Sequence, residues 1–207
     1  MTAAPGKVHI VDDDASLRRG LSRLLRAHGF ETEVFESADA FIAAGLEGRA
    51  GCIVLDLHMP GADGLELQER LVADCCRMPV LFLTARGDVQ KCARAFKAGA
   101  VEFLMKPVDE DILLQAVRKA LEENRRLEQL HAEIASIRAR METLTDREME
   151  VMRHLITGAL NKQIGGDLDI AEKTVKVHRG RVMEKMGVAS VAELVRLCAA
   201  AGIEPAD

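Results

Sequence analysis

The sequence predicts an α/β domain built on a doubly wound five-stranded parallel sheet. A helical linker joins it to an all-α four-helix domain of helix-turn-helix type. Three observations predict this. Residues 7–106 alternate short apolar runs with amphipathic stretches, the rhythm of buried strands covered by helices on both faces. Residues 122–143 contain neither Pro nor Gly and are rich in Glu, Arg, Leu and Ala. Residues 145–207 read as four short helices, with Gly158, Gly187 and Gly202 as stops. The expected domains are therefore 1–121, 122–143 and 144–207.

The apolar runs stand at 7–11, 32–35, 52–55, 79–83 and 101–104, and the amphipathic stretches at 15–28, 38–46, 64–73, 89–98 and 109–121. Gly29, Gly87 and Gly99 fall where turns are needed. In the linker, Leu127, Leu130, Ile134, Ile137, Met141 and Leu144 recur at steps of three and four, which places them on one seam. That seam suits either a dimerising coiled coil or a single helix docked on its own domain. Thr145 with Glu148 forms a capping-box pattern at the start of the next helix. Further helices are expected over 161–168, 171–186 and 190–201.

Composition restricts the function. Hydrophobic residues make up 48% of 207 and charged residues 29%, enough for two cores and a polar surface. No apolar run approaches the ~18 residues that span a bilayer, and the start lacks the apolar stretch of a secretory signal. A cytoplasmic protein without membrane contact is expected. Five Cys (Cys52, Cys75, Cys76, Cys92 and Cys198) show no metal-ligand spacing and are expected as reduced thiols. Cys75-Cys76 fits two small apolar residues at a helix end better than a redox sensor. Net charge is −5, and none of the blocks 1–120, 121–144 and 145–207 is basic overall. A nucleic-acid surface must then be a local stripe.

In a doubly wound sheet, ligands meet the C-terminal ends of the strands. Asp12, Asp13 and Asp14 follow the first strand. Asp56, Thr84 and Lys106 stand at the third, fourth and fifth strand ends. Asp14 is expected to cap the first helix. Clustered carboxylates repel one another unless a cation joins them. Mg²⁺ suits such a set, with Asp13 and Asp56 as direct ligands, Asp12 through water, and the backbone carbonyl of His58 completing the site. Asp56 can then act as a carboxylate nucleophile towards a phosphoryl group. Thr84 and Lys106 supply donors to the phosphoryl oxygens.

The stretches Val11-Asp12-Asp13-Asp14, Asp56-Leu57-His58-Met59-Pro60-Gly61, Leu83-Thr84-Ala85 and Phe103-Leu104-Met105-Lys106-Pro107 resemble a response-regulator receiver domain. The resemblance covers the first ~120 residues. It implies Asp56 as phospho-acceptor, Asp12 and Asp13 as the acid pair, Thr84 as switch hydroxyl, Phe103 as switch aromatic, Lys106 as the partnering lysine and a cis bond at Lys106-Pro107. It also implies a sensor histidine kinase as phosphoryl donor.

Residues 171–185 hold five Lys or Arg against two Glu, the local basic stripe that composition requires. On a helical wheel Val175, Val182 and Met186 face inward. Lys173, Lys176, Val177, Gly180 and Arg181 face out, with His178 and Arg179 at the boundary. A basic outer face on the second helix of a tight pair suits a major groove. The stretches Leu144-Thr145-Asp146-Arg147-Glu148, Asn161-Lys162-Gln163-Ile164 and Lys173-Thr174-Val175-Lys176-Val177-His178-Arg179 resemble the LuxR-type domain of the NarL/FixJ family. With the receiver, the whole chain resembles FixJ-like regulators.

This implies base contacts near Lys176 and Val177, and backbone contacts from Lys173, Thr174, Arg179 and Arg181. Two departures stand out. Gly165-Gly166 replaces the Ala favoured in the family, which predicts a soft helix. Ala171 stands where a Ser cap is common, and Asp169 offers a cap one turn earlier, reaching Glu172.

The reading is a non-enzymatic transcriptional regulator that binds promoter DNA and forms a homodimer on phosphorylation, with RNA polymerase as a candidate partner. One alternative is a DNA-binding regulator independent of phosphorylation that keeps a vestigial acidic pocket. The other is an aspartate-nucleophile phosphatase, disfavoured because His58 stands where such enzymes carry a second Asp. A dinucleotide site is excluded by three Asp where a Gly-rich turn would be needed.

Overall fold

The computed structural model describes residues 6–46, 48–85 and 89–206. Gly87 and the Cys92 side chain lie outside the described residues. Two compact units divide near Glu128 and Gln129.

The first unit has five strands: β1 (Lys7–Val11), β2 (Glu31–Phe35), β3 (Cys52–Asp56), β4 (Val80–Thr84) and β5 (Glu102–Met105). They form one parallel sheet in the order β2-β1-β3-β4-β5. In the inner register Val8 is opposite Cys52 and Leu55 opposite Phe82. Every residue of β3 and β4 is buried, which explains their unbroken apolar runs. The edge strands β2 and β5 are only partly buried.

Helices α1 (Ala15–Ala27) and α5 (Glu110–Glu142) serve one face. There Leu21, Leu25, Leu113, Val117 and Leu121 pack on Val8, Ile10, Val54 and Leu83. Helices α2 (Ala38–Ala43), α3 (Gly64–Ala73) and α4 (Val89–Lys97) serve the other. There Phe41, Leu67, Leu71 and Ala95 pack with Ile53, Leu55 and Phe82. The side chain of Asp14 caps α1 by accepting from the Ser16 and Leu17 amides. Asp63 and Glu66 form a reciprocal capping box on α3. Gly29 and Gly99 take φ of 84° and 90° after α1 and α4, values that suit glycine.

Helix α5 runs unbroken for 33 residues, about 50 Å at 1.5 Å per residue. The expected linker lies along its C-terminal two thirds.

The second unit continues with α6 (Asp146–Ile156), α7 (Asn161–Asp167), α8 (Glu172–Met186) and α9 (Val191–Ala200). Ile137 from the end of α5 is fully buried with Val151, Met152, Leu155, Ile164, Val175, Val182 and Met186. Met141 and Leu144 pack against the same core. The C-terminal half of the linker seam is thus docked on its own unit, whereas Leu130 is 41% exposed.

Two local expectations need revision. Asp169 does not cap α8. It takes φ 51° in the turn after α7, and the N-cap is Ala171, with no side-chain hydrogen bond. The left-handed turn is made by the residue that would otherwise have capped the helix. Gly165 is not a soft spot: a Cβ there would lie 2.8 Å from the Ile170 carbonyl oxygen, so the tight α7–α8 turn requires glycine. Gly166, with open space around it, is the one position where the softness argument applies.

Candidate functional site

The sheet order changes direction between β1 and β3, and there the strand ends carry acids. Asp12 follows β1 and is fully buried, and Asp56 is the buried last residue of β3. Thr84 ends β4, also buried, and Lys106 directly follows β5 and precedes the cis Lys106-Pro107 bond.

These side chains converge. The Lys106 ammonium lies 2.8 Å from Asp12 Oδ2 and 3.0 Å from Asp56 Oδ2. Asp12 Oδ1 accepts from the Asp14 amide at 2.8 Å, and Asp56 Oδ1 accepts from the His58 amide at 3.3 Å. Asp13 is exposed. Asp12, Asp13 and Asp56 each offer one carboxylate oxygen, all within 4.8 Å of one another. Three hard oxygen donors at that spacing fit a small divalent cation. The His58 side chain is exposed. Thr84 Oγ1 donates to the Ala85 carbonyl at 2.8 Å.

Burial pushes the Asp56 carboxyl above its ordinary value, against the pull of Lys106, while the charge of Asp12 pushes the same way as burial. Burial acts to lower the Lys106 ammonium, yet hydrogen bonds and charge from Asp12 and Asp56 carry it above the usual lysine value. A buried carboxylate whose ionisation is shifted by burial and by a specific charge partner marks a candidate functional site.

Phe103 is half-buried, stacked on Phe82 at 5.1 Å between centroids and touching Phe96 at 4.7 Å. Phe96 of α4 and Met105 of β5 are 52% and 57% exposed.

Two contributors escaped the sequence reading. Arg18 of α1 donates to the Asp12 carbonyl. Gly64, first in α3, would bring a Cβ to 2.3 Å from the Asp56 carbonyl oxygen. Its φ is ordinary, so no turn signal marks it.

In the second unit Val175, Val182 and Met186 of α8 are fully buried. Lys173, Lys176, Val177, Gly180 and Arg181 are exposed, and His178 and Arg179 are half-buried, as the wheel placed them; Thr174 is exposed too. Arg179 Nη1 donates to Asn161 Oδ1 of α7 at 3.3 Å. The capping box of Thr145 and Glu148 is present. Glu148 is 2% exposed and also binds Lys185 Nζ at 2.6 Å. This tie fixes the C-terminal end of α8 to the start of α6.

Residues 8–118 match the response regulator receiver domain, and residues 142–198 match the bacterial regulatory proteins of the luxR family. The chain is 39% identical to the transcriptional regulatory protein FixJ of Rhizobium meliloti, over 96% of this chain and 97% of that protein. It belongs to the FixJ-like response regulators. This regulator is also 42% identical to FixJ of Azorhizobium caulinodans, over 97% of its own length and 95% of that protein. It is similar in structure to the response regulator StyR, with a TM-score of 0.84, 46% identity and coverage of 95% and 99%. Full-length FixJ from B. japonicum gives 0.60 and 40%, covering 97% and 98%.

The response regulator is thus a two-component transcriptional regulator, with a receiver that implies a histidine kinase and a LuxR-type domain that implies DNA binding. Among its described residues no helix is long and apolar enough to cross a membrane.

Proposed function

We propose that a sensor histidine kinase transfers a phosphoryl group to Asp56 and that this raises promoter affinity through dimerisation. One observation carries the reading: a single ammonium, Lys106, spans Asp12 and Asp56 at 2.8 and 3.0 Å at the sheet's change of direction. An Asp56 oxygen forms a bond to phosphorus as the bond from phosphorus to the kinase histidine nitrogen breaks. Lys106 neutralises charge on the phosphoryl oxygens, and Thr84 turns its hydroxyl from the Ala85 carbonyl to donate to them. Asp12, Asp13 and Asp56, with the His58 carbonyl, would hold Mg²⁺, which offsets the repulsion between carboxylates and phosphoryl oxygens.

Recruitment of Thr84 leaves space that Phe103 can follow, which changes the surface carrying Phe96 and Met105. That exposed apolar pair favours the α4–β5 surface as the dimer contact. In the second unit, Lys176 and Val177 are proposed to read bases, and Lys173, Thr174, Arg179 and Arg181 to bind the backbone. Their division of work follows the domains 1–121, 122–143 and 144–207, in the cytoplasm, with RNA polymerase as a further partner and no catalytic turnover of its own.

The test is incubation with Mg²⁺ and acetyl phosphate or BeF₃⁻, read by mass spectrometry and NMR. An adduct at Asp56 that is lost in Asp56→Asn supports the reading. No adduct in the wild-type protein overturns it.

A further inference from the structure

Midway along β1, the sheet carries a histidine where a fully apolar residue would pack. His9 is 1% exposed, between β2 and β3. The Phe41 ring meets it edge to face with centroids 5.8 Å apart, and the Phe35 centroid lies 6.4 Å away. A buried imidazole needs partners for both nitrogens, and both have them. Nε2 is 3.3 Å from the Ala50 carbonyl oxygen. Nδ1 is 3.3 Å from Arg49 Nη1 and 3.4 Å from Glu33 Oε2.

Arg49 organises the loop between α2 and β3. Its guanidinium lies over the rings of Phe35 and Phe41 at 5.3 and 5.6 Å. It donates to the carbonyls of Ala44 (3.1 Å) and Gly45 and pairs with Glu33 at 3.0 Å. Lys7 shares the same Glu33 oxygen at 3.3 Å. The loop ends at Gly51, whose amide donates to Asn124 Oδ1 of α5 at 2.9 Å. Asn124 is 3% exposed.

With the ring neutral, the contacts to Ala50 and Arg49 can both be hydrogen bonds. Nε2–H donates to Ala50, so Nδ1 presents its lone pair to the Arg49 N–H. Adding a proton at Nδ1 turns an acceptor into a donor and sets two cations side by side. The remaining acceptor is Glu33, already shared by Arg49 and Lys7. The charged imidazole therefore repels Arg49 and competes with it for Glu33.

We propose that His9, Glu33 and Arg49 form a proton-operated latch: the neutral ring holds residues 44–46 and 48–51 in place, and protonation frees them and loosens their hold on Asn124 of α5.

Burial lowers the His9 pKa below the ordinary 6.5, with Arg49 and Lys7 acting the same way and the Ala50 carbonyl and Glu33 opposing. A group that binds its proton more weakly in the latched form than in the open form makes the latch strongest at high pH. Its hold weakens as pH falls below the open-state value and stops changing below the latched-state value.

The test is amide hydrogen exchange of the full chain at about pH 7.5 and about pH 5.5, corrected for intrinsic exchange, with the histidine rings titrated by NMR. In the wild type the loop amides of Gly45, Arg49 and Gly51 should lose about tenfold in protection towards acid, in step with the His9 titration. In His9→Gln, which keeps a donor and an acceptor but does not titrate, the pH dependence should vanish. Arg49→Leu, a second variant, should leave the loop unprotected at both pH values. Equal wild-type protection at both pH values overturns the proposal. So does an unchanged acid response in His9→Gln or Arg49→Leu.

Discussion

At Gly64 the carbonyl of Asp56 leaves no room for a Cβ. Gly64→Ala should therefore displace the acceptor strand, lowering both stability and acetyl phosphate labelling of Asp56. The adjacent glycines of α7 separate two causes for one residue type. Gly166→Ala should raise stability by up to ~1 kcal/mol in denaturant unfolding, since helix propensity alone acts there. Gly165→Ala should lower it, because the Ile170 carbonyl is in the way.

Glu148 adds a pH signature. The hydrogen bond from Lys185, followed by that from the Thr145 amide, lowers its pKa from 4.5 to about 2. An acid with a depressed pKa contributes stability that is complete above its unfolded value and is lost as pH falls through the folded one. Glu148→Gln should cost the second unit about 1–3 kcal/mol near neutral pH. That deficit should narrow between pH 4.5 and about 2. A deficit independent of pH would show that packing, not charge, fixes the end of α8.

Among the elements, α5 contributes to both cores. Leu113, Val117 and Leu121 belong to the first and Ile137 to the second. Ile137→Ala should destabilise the second unit by about 2–5 kcal/mol. Acetyl phosphate labelling of Asp56 should be unaffected, and paired melting and labelling experiments check both. For α8, the proposed backbone role of Lys173 predicts that Lys173→Ala weakens all DNA sequences alike and reduces the salt dependence of binding by about one ion. Lys176→Ala should instead relax preference at one base pair by about 1–3 kcal/mol.

What could be read in advance follows the range of the interaction. The strands, the Asp14 cap and the Thr145–Glu148 box rest on neighbours in sequence, so pattern reveals them. The rim residues were legible because parallel topology forces strand ends together. Asp169 was misread because two local options compete for it, a cap and a left-handed turn, and only the α7–α8 packing decides. The His9–Glu33–Arg49 set and the Glu148–Lys185 pair join residues far apart in sequence, with no motif to mark them.

For the whole molecule, the proposed function joins events in two units. BeF₃⁻ should shift the protein to dimers and raise affinity for promoter sites whose halves lie about one DNA turn apart. Asp56→Asn should show neither effect. Sedimentation and DNA titration at fixed salt measure both. Equal affinity throughout would favour a regulator that binds DNA without regard to phosphorylation.

The bridging lysine has one more consequence, for thermal stability. Asp12 is fully buried, and Lys106 compensates its charge. In Lys106→Met that charge is stranded, and an added divalent ion becomes its substitute. Because a ligand that binds only the folded state stabilises it as the logarithm of its concentration, the variant should melt lower than wild type in chelator and recover steeply as magnesium is titrated in. Such a melting profile would mark the lysine as an internal counter-ion for the buried acid, interchangeable with an external one.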